Sequence, residues 1–303
     1  GVSVVKNAKR KGSIQSTEMK VFPYLMILPN LFIFTVFIAV PAVFGFVYSL
    51  TDWGGLGDLN FIGFSNYVKL FHDSYFWTAI RQTFIYAIIA LPMIVAIPLL
   101  LATMLVKNIR GRSFFRAVFY WPSMISYIVV GLLFQFIFGD STGIINYLIT
   151  KMGGTSVNWF TNGVSAMAVV IIASVWSRSG FYMVTFISGL MSIDETYYEA
   201  AEVDGASNLR QFISITLPLL KPTTFLVMIL GFIDLFKQYG LVLTLTNGGP
   251  AGTTKFAVQY IYERAFQKFE LGYASALSMV LLVILAVLTL VQFKVNKGGA
   301  VND

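Results

Sequence analysis

Three ionisable residues stand inside otherwise apolar stretches of this 303-residue chain: Arg178, Asp234 and Lys237. On insertion scales an ionisable side chain at mid-membrane costs about 2.5–3.5 kcal/mol, so each of them requires a partner, a wet cavity or a ligand. Two chemistries fit. In the first, Asp234 and Lys237 pair three residues apart on one helix face, and Arg178 joins them or a partner subunit. In the second, the charges share a substrate site near the midplane with Trp176, Phe181, Phe236, Gln238 and Tyr239. Sugar rings stack their C–H faces on aromatic rings while a few polar side chains bond the hydroxyls, and so fix orientation in an apolar cavity. Two cations against one acid leave a surplus positive charge, which suits a carboxylate or phosphate. Arg holds a carboxylate in bidentate fashion, so uronate-containing oligosaccharides fit.

A second feature is the segment Asp194 to Pro222, which carries five acids (Asp194, Glu195, Glu199, Glu202, Asp204) and two bases. Tyr197 to Val203 reads as a short helix, with Ala200 and Ala201 favouring it and acids near its N-terminal half. Asp204-Gly205 stops it, because glycine takes the left-handed position that closes a helix. Ser207 or Asn208 caps a second helix, on which Leu209, Phe212, Ile213 and Thr216 fall on one face. Pro218 then bends the chain. The pair forms either a knob that enters a groove in another protein or an interfacial hairpin that only tethers its neighbours.

The elements that position these residues follow from composition. Hydrophobic residues make up 57% of the chain and charged residues 12%, with a mean hydropathy of +0.75. A soluble domain is about 45–50% apolar and about 25% charged, so this is a membrane protein. The absence of Cys excludes a disulfide scaffold, and the composition excludes a disordered tail. Apolar runs over Val21–Thr51, Gln82–Val106, Ala117–Gly139, Val164–Leu190, Pro222–Thr246 and Leu271–Phe293 predict six transmembrane helices. Pro29, Pro41, Pro92, Pro98 and Pro122 predict kinks within them. The segment 194–222 then joins helices 4 and 5. Of 21 Lys and Arg residues, 13 fall on the side of the termini and 6 on the other, which places both termini in the cytoplasm. The net charge of +7 is therefore mostly topology, and the basic arm 1–20 reads as an orientation signal rather than a nucleic-acid tail.

The residues of the acidic segment carry a resemblance. Glu199-Ala200-Ala201, then Gly205 and, ten residues on, Ile215-x-Leu217-Pro218, resembles the EAA loop of ABC-importer permeases. Trp121-Pro122, the run Phe138 to Asn146, Thr246-Asn247-Gly248-Gly249-Pro250 and Gly272 to Ala276 are similar to the maltose-type first permease of carbohydrate uptake. The resemblance implies that Glu199, Ala200, Ala201, Asp204, Gly205, Ala206, Ile215, Leu217 and Pro218 dock on a cytoplasmic ATPase. It implies that Asn247, Gly248, Gly249 and Pro250 form a rim facing an extracytoplasmic solute-binding protein. It also places substrate contacts near Arg178, Phe181 and Leu235 to Gln238. Leu235 and Lys237 replace amides of the maltose pattern and Arg178 replaces a small residue, which departs from maltose itself.

The fold class is thus an all-α polytopic membrane protein: a cytoplasmic arm (1–20), a transmembrane permease domain (21–293) with its coupling loop (194–222), and a cytoplasmic tail (294–303). No G-x-x-x-x-G-K-[ST] stretch exists, so ATP and Mg²⁺ belong to partner ATPase subunits and the chain is not an enzyme. The single His72 reads as a solvated loop residue, and no metal site is expected. The implied partners are a second, non-identical permease, two ATPase subunits, the binding protein, an oligosaccharide and membrane lipid, in a bacterial cytoplasmic membrane. The other class of reading is an ion-coupled secondary transporter or channel that uses the intramembrane charges; no inverted internal repeat supports it.

Overall fold

The computed structural model describes residues 24–107, 110–140, 143–296 and 299. The basic arm 1–20 and most of the tail lie outside them. Helix α1 (Tyr24–Ser49) is a long apolar rod whose membrane-compatible window buries nothing within the chain. A π-helical turn at Thr35–Ala39 precedes Pro41 and absorbs the hydrogen bond that a proline cannot make. Its far end is held by Asn66 on the short helix α2 (Ser65–Phe71), whose amide donates to the Ser49 and Thr51 carbonyls at 2.9 and 2.8 Å. Among the described residues there is one isolated bridge, Thr51 with Phe61, and no strand.

Helix α3 (Ser74–Val106) runs unbroken through Pro92 and Pro98 and packs along α7 (Gly163–Met191). Tyr86, Ile94, Tyr182, Met183 and Phe186 are fully buried between and around them. The run Ala117–Gly139 does not form one straight crossing. Helix α4 (Arg112–Tyr120) tightens into a 3₁₀ turn at Trp121–Met124, where Pro122 sits, and the chain turns by 101° into α5 (Tyr127–Ile137). Ser126 caps the new helix by accepting from the Val129 N–H at 3.4 Å. Helix α6 (Ile144–Lys151) follows, and Asn146 on it organises the next connection, donating to the Val157 carbonyl and accepting from Val157 N–H and Trp159 Nε1 at 2.9–3.1 Å.

The acidic segment forms α8 (Thr196–Val203) and α9 (Asn208–Leu219), the latter with a π-helical turn at Phe212–Thr216; a 66° bend leads into α10 (Lys221–Phe236). The run Pro222–Thr246 is also discontinuous. α10 ends at Phe236, residues 237–239 leave the helix, and α11 (Gly240–Leu245) resumes against α5. Gly131 permits that approach, since a Cβ there would meet Thr244 Oγ1 and the Leu241 carbonyl. Helices α12 (Ala257–Tyr262) and α13 (Leu271–Val295) complete the chain, α13 lying against α1. Among the described residues four helices (α1, α3, α7, α13) are long and apolar enough to cross a membrane, and the two bent pairs bring the number to as many as six.

At one end of the bundle Asp73 binds α3, α12 and α13 together. Its carboxylate caps α3 and accepts from the hydroxyls of Tyr260 and Tyr273, both at 2.6 Å. Arg264 reaches Tyr260 and Glu270, and Lys69 closes the ring on Glu270 at 3.0 Å. Burial pushes the Asp73 carboxyl up, but the two tyrosine hydroxyls, the Phe76 N–H and the Arg264 charge outweigh it and hold it below its ordinary value of 3.8. A depressed carboxyl contributes stability that is complete above its unfolded value and lost as the pH falls through its folded one. Thermal unfolding followed between pH 7 and pH 3 should therefore decline below about pH 4. In Asp73→Asn that share of the decline should be missing; an unchanged acid limb would show that Asp73 does not carry it.

Candidate functional site: a charged cluster between broken helices

The intramembrane charges come together, but not in the pairing that sequence spacing suggests. Asp234 binds Arg178, not Lys237: Arg178 Nε lies 2.8 Å from Asp234 Oδ2, and Nη2 donates to Oδ1 at 3.4 Å. The pair joins α7 to α10, with each side chain about 30% exposed (29% and 32%). Lys237 departs because the helix ends there. It is the C-terminal cap of α10, exposed, and makes no ion pair among the described residues.

A third participant, Tyr127, was not legible as a site residue. It begins α5 just after the 101° turn, and its hydroxyl accepts from Arg178 Nε at 2.5 Å and donates to Asp234 Oδ2 at 3.2 Å. The guanidinium also lies over its ring, 4.6 Å from the centroid. A tyrosine inside a run read as one kinked crossing carries no sign that it starts a helix; Pro122 and the Ser126 cap preceding it are the signals that could have shown this. Three broken or crossing elements thus meet at one bidentate pair and one phenol.

The remaining predicted contact residues divide. Trp176 packs its ring on Phe134 of α5 at 5.4 Å, and Phe181 is exposed, its ring edge-on to Tyr182 at 5.3 Å. Tyr239 stacks on Tyr262 at 4.8 Å. Phe236 is wholly buried, edge-on to Phe84, and so sits in the packed interior. Gln238 is also buried, and neither of its amide atoms has a hydrogen-bond partner among the described residues. A buried primary amide with both ends unpaired costs several kcal/mol in an apolar medium, so this position at the helix break is polar for a reason other than packing.

In the α8–α9 hairpin, Glu199 and Ala200 are exposed and Ala201 half-buried. Asp204 ends α8, Gly205 takes φ +72°, and the Ala206 N–H returns to the Ala201 carbonyl at 2.9 Å, closing the helix. Ser207, rather than Asn208, caps α9. The face of α9 is covered along one edge only. Thr216 is buried and Phe212 partly so, whereas Leu209 and Ile213 are 68% and 55% exposed. Gln211 and Thr216 turn inward, where Thr216 bonds Tyr198 at 2.9 Å, and a π-helical turn runs from Phe212 to Thr216. Ile215 is half-buried, and Leu217 and Pro218 are exposed. The hairpin therefore presents Glu199 beside uncovered Tyr197, Val203, Leu209 and Ile213.

At the other predicted patch, Asn247 is exposed with φ +49°, while Gly248 is buried and Gly249 and Pro250 are half-buried. The turn is held by Thr254, which donates to the Gly249 carbonyl at 2.6 Å. No group of three or more His, Cys, Asp or Glu suited to a metal occurs among the described residues.

Residues 94–298 match the family described as "Binding-protein-dependent transport system inner membrane component". The chain belongs to that family. This membrane component is 35% identical over 287 residues to the probable ABC transporter permease protein YurN of Bacillus subtilis, covering 93% of this chain and 98% of the relative. It is 32% identical to the arabinooligosaccharides transport system permease protein AraP of the same organism, covering 91% and 89%. It is 30% identical to the sn-glycerol-3-phosphate transport system permease protein UgpA of Rhizobium meliloti, covering 91% and 94%. The fold is shared with a chain of a bacterial ABC transporter involved in the import of the acidic polysaccharide alginate, with a TM-score of 0.79 at 24% identity over 94% of this chain and 98% of that one. Membership makes the chain a multi-pass transport subunit of the inner membrane, not an enzyme, and it replaces the reading as a free-standing secondary transporter or channel.

Proposed function

We propose that this chain is one of two permeases in a binding-protein-dependent ABC importer for oligosaccharides, including acidic ones, and that it works by alternating access. Six crossings, with α4–α5 and α9–α10 each counted as one bent span, put both termini and the α8–α9 hairpin in the cytoplasm. ATPase subunits holding ATP and Mg²⁺ dock on Glu199 to Pro218, and their closure rocks α7, α10 and α13 against the partner permease. The binding protein releases substrate at the Asn247 rim. The relatives named for arabinooligosaccharides and for sn-glycerol-3-phosphate support the cargo class, the first for sugar chains and the second for an anion.

The observation that carries the acidic cargo is the division of the charges. Arg178 and Asp234 neutralise each other, which leaves Lys237 as the uncommitted cation at the α10 break. A helix that breaks beside a cavity is where membrane transporters build substrate sites. Lys237 reads the substrate anion, and Trp176, Phe181 and Tyr239 offer rings nearby. Uptake by the assembled transporter tests this. In Lys237→Ala the KM for an oligouronate should rise roughly tenfold, the worth of one charge-assisted bond, with neutral arabino-oligosaccharides unaffected. Equal loss on neutral and acidic sugars would reject charge recognition.

A further inference from the structure

A cleft of about 400 Å³ opens between the end of α5, the end of α11 and the connection before α7, away from the charged cluster. Gln135, Phe160, Thr244, Thr246 and Asn247 line it with two leucines, and no charged side chain does among the described residues. That volume lies within the range of small-molecule sites, about 300–1,000 Å³. Gln135 is unusual where it stands. It is the one amide in the eleven-residue apolar helix α5, YIVVGLLFQFI, and its side chain makes no hydrogen bond among the described residues. An amide facing hydrocarbon is costly, so its place on the rim of a cleft marks that surface as wet or occupied.

The other lining groups have complementary roles. Thr244 Oγ1 bonds backbone carbonyls, to Ile128 and Gly240 at 3.0 Å, and Thr246 Oγ1 bonds Thr254 at 2.7 Å. Their hydroxyls are thereby fixed in orientation, with lone pairs left to accept. Asn247 accepts a long bond from Gln259 at 3.4 Å through Oδ1, so its amide N–H groups remain to donate. Phe160 supplies a ring. Donors, acceptors and an aromatic face without charge suit a neutral polyhydroxylated ring, the counterpart of the anionic end that Lys237 takes.

Helix α5 links the two places. Tyr127 at its start touches Arg178 and Asp234, and Gln135 lies eight residues further on, about 12 Å at 1.5 Å per residue. We infer that the cleft is a second saccharide subsite, which holds a neutral ring of a chain whose leading unit reaches the charged cluster. The inference rests on the oligosaccharide reading above. It makes α5 a ruler: only a substrate longer than one ring spans both ends.

The test is uptake by the assembled importer with arabino-oligosaccharides and oligouronates of one to four rings as probes. Gln135→Ala and Gln135→Met should raise the KM for three- and four-ring sugars roughly fivefold, the worth of a neutral hydrogen bond, with kcat and one-ring uptake unmoved. Phe160→Leu, which keeps an apolar side chain against the core, should act in the same length-dependent way. Gln135→Met guards against misfolding because it keeps length and apolar fit. Unchanged KM at every length overturns the subsite. An equal rise at every length also overturns it, assigning the cleft to docking of the binding protein. Wild-type transporter that takes up no member of the panel would instead sink the oligosaccharide reading, and the subsite with it.

Discussion

Glu199→Lys is expected to reduce coupled uptake by roughly thirtyfold or more, while the protein stays folded in the membrane. The carboxylate is exposed on the first turn of α8 and binds nothing among the described residues. Its replacement should therefore alter stability by no more than about 1 kcal/mol, the worth of a charge near a helix start. A side chain central to a docked interface is worth about 2 kcal/mol or more, hence the thirtyfold figure. The readout is twofold: substrate-stimulated ATP hydrolysis in the reconstituted complex, and co-purification of the ATPase with the permease. Full uptake with the ATPase still bound would remove Glu199 from the docking surface. Gly205→Val provides the companion test. Its φ of +72° suits glycine, and a left-handed L-residue costs about 1–2 kcal/mol. A Cβ there meets nothing within 4 Å. The loss should come from tilting α8 against α9, so uptake falls while the remainder of the bundle melts as before.

Removing one member of the Arg178–Asp234 pair should have the largest effect on the bundle itself. Breaking a fully buried pair costs about 3–5 kcal/mol because the survivor stays charged and unpaired. With each side chain about a third exposed, water screens the survivor and about 1–3 kcal/mol is expected. Asp234→Ala and Arg178→Ala should each lower the melting temperature in detergent. The double variant should recover most of the loss, because no lone charge is left. Uptake separates structure from recognition. If the pair only fastens α7 to α10, the double variant transports as well as it folds. If Arg178 also meets substrate, the double variant is stable but inactive on acidic sugars. Additive melting losses in the double variant would show that the pair is not coupled. Tyr127→Phe should reproduce a smaller part of the destabilisation, since its hydroxyl bonds both charges.

The membrane class, the approximate positions of the apolar runs and the α8–α9 hairpin were legible because each is written locally. Twenty apolar residues in a row, Ala200-Ala201 followed by Asp204-Gly205, and a serine before a helix need no knowledge of neighbours. Of the two discontinuities, the site of the first was marked by Pro122 but its size was not, and the second was not legible. Hydropathy sums over a window and is blind to a turn inside it, so Pro222–Thr246 reads as an unbroken span, and in Ala117–Gly139 Pro122 predicts a kink but not a turn as sharp as 101°. The 101° turn at Pro122 to Ser126 and the break at Lys237 to Tyr239 emerge only when α5 and α11 close on each other across Gly131. Which edge of the α9 face is covered was not legible either: Phe212 and Thr216 turn inward while Leu209 and Ile213 stay exposed.

The sequence by itself determined what kind of protein this is. Composition required a membrane, and the acidic hairpin and the Asn247–Pro250 turn identified a permease, since these signals lie within short stretches of chain. Tertiary structure alone decided who meets whom. Spacing along one helix offered Lys237 to Asp234, but ion pairs form where distance allows. Two helices crossing brought Arg178 to 2.8 Å of Asp234, placed Tyr127 between them, and left Lys237 at a helix end. Which charge is spent on structure and which remains for a substrate depends on contacts between helices, and these are not encoded in the spacing of any one of them.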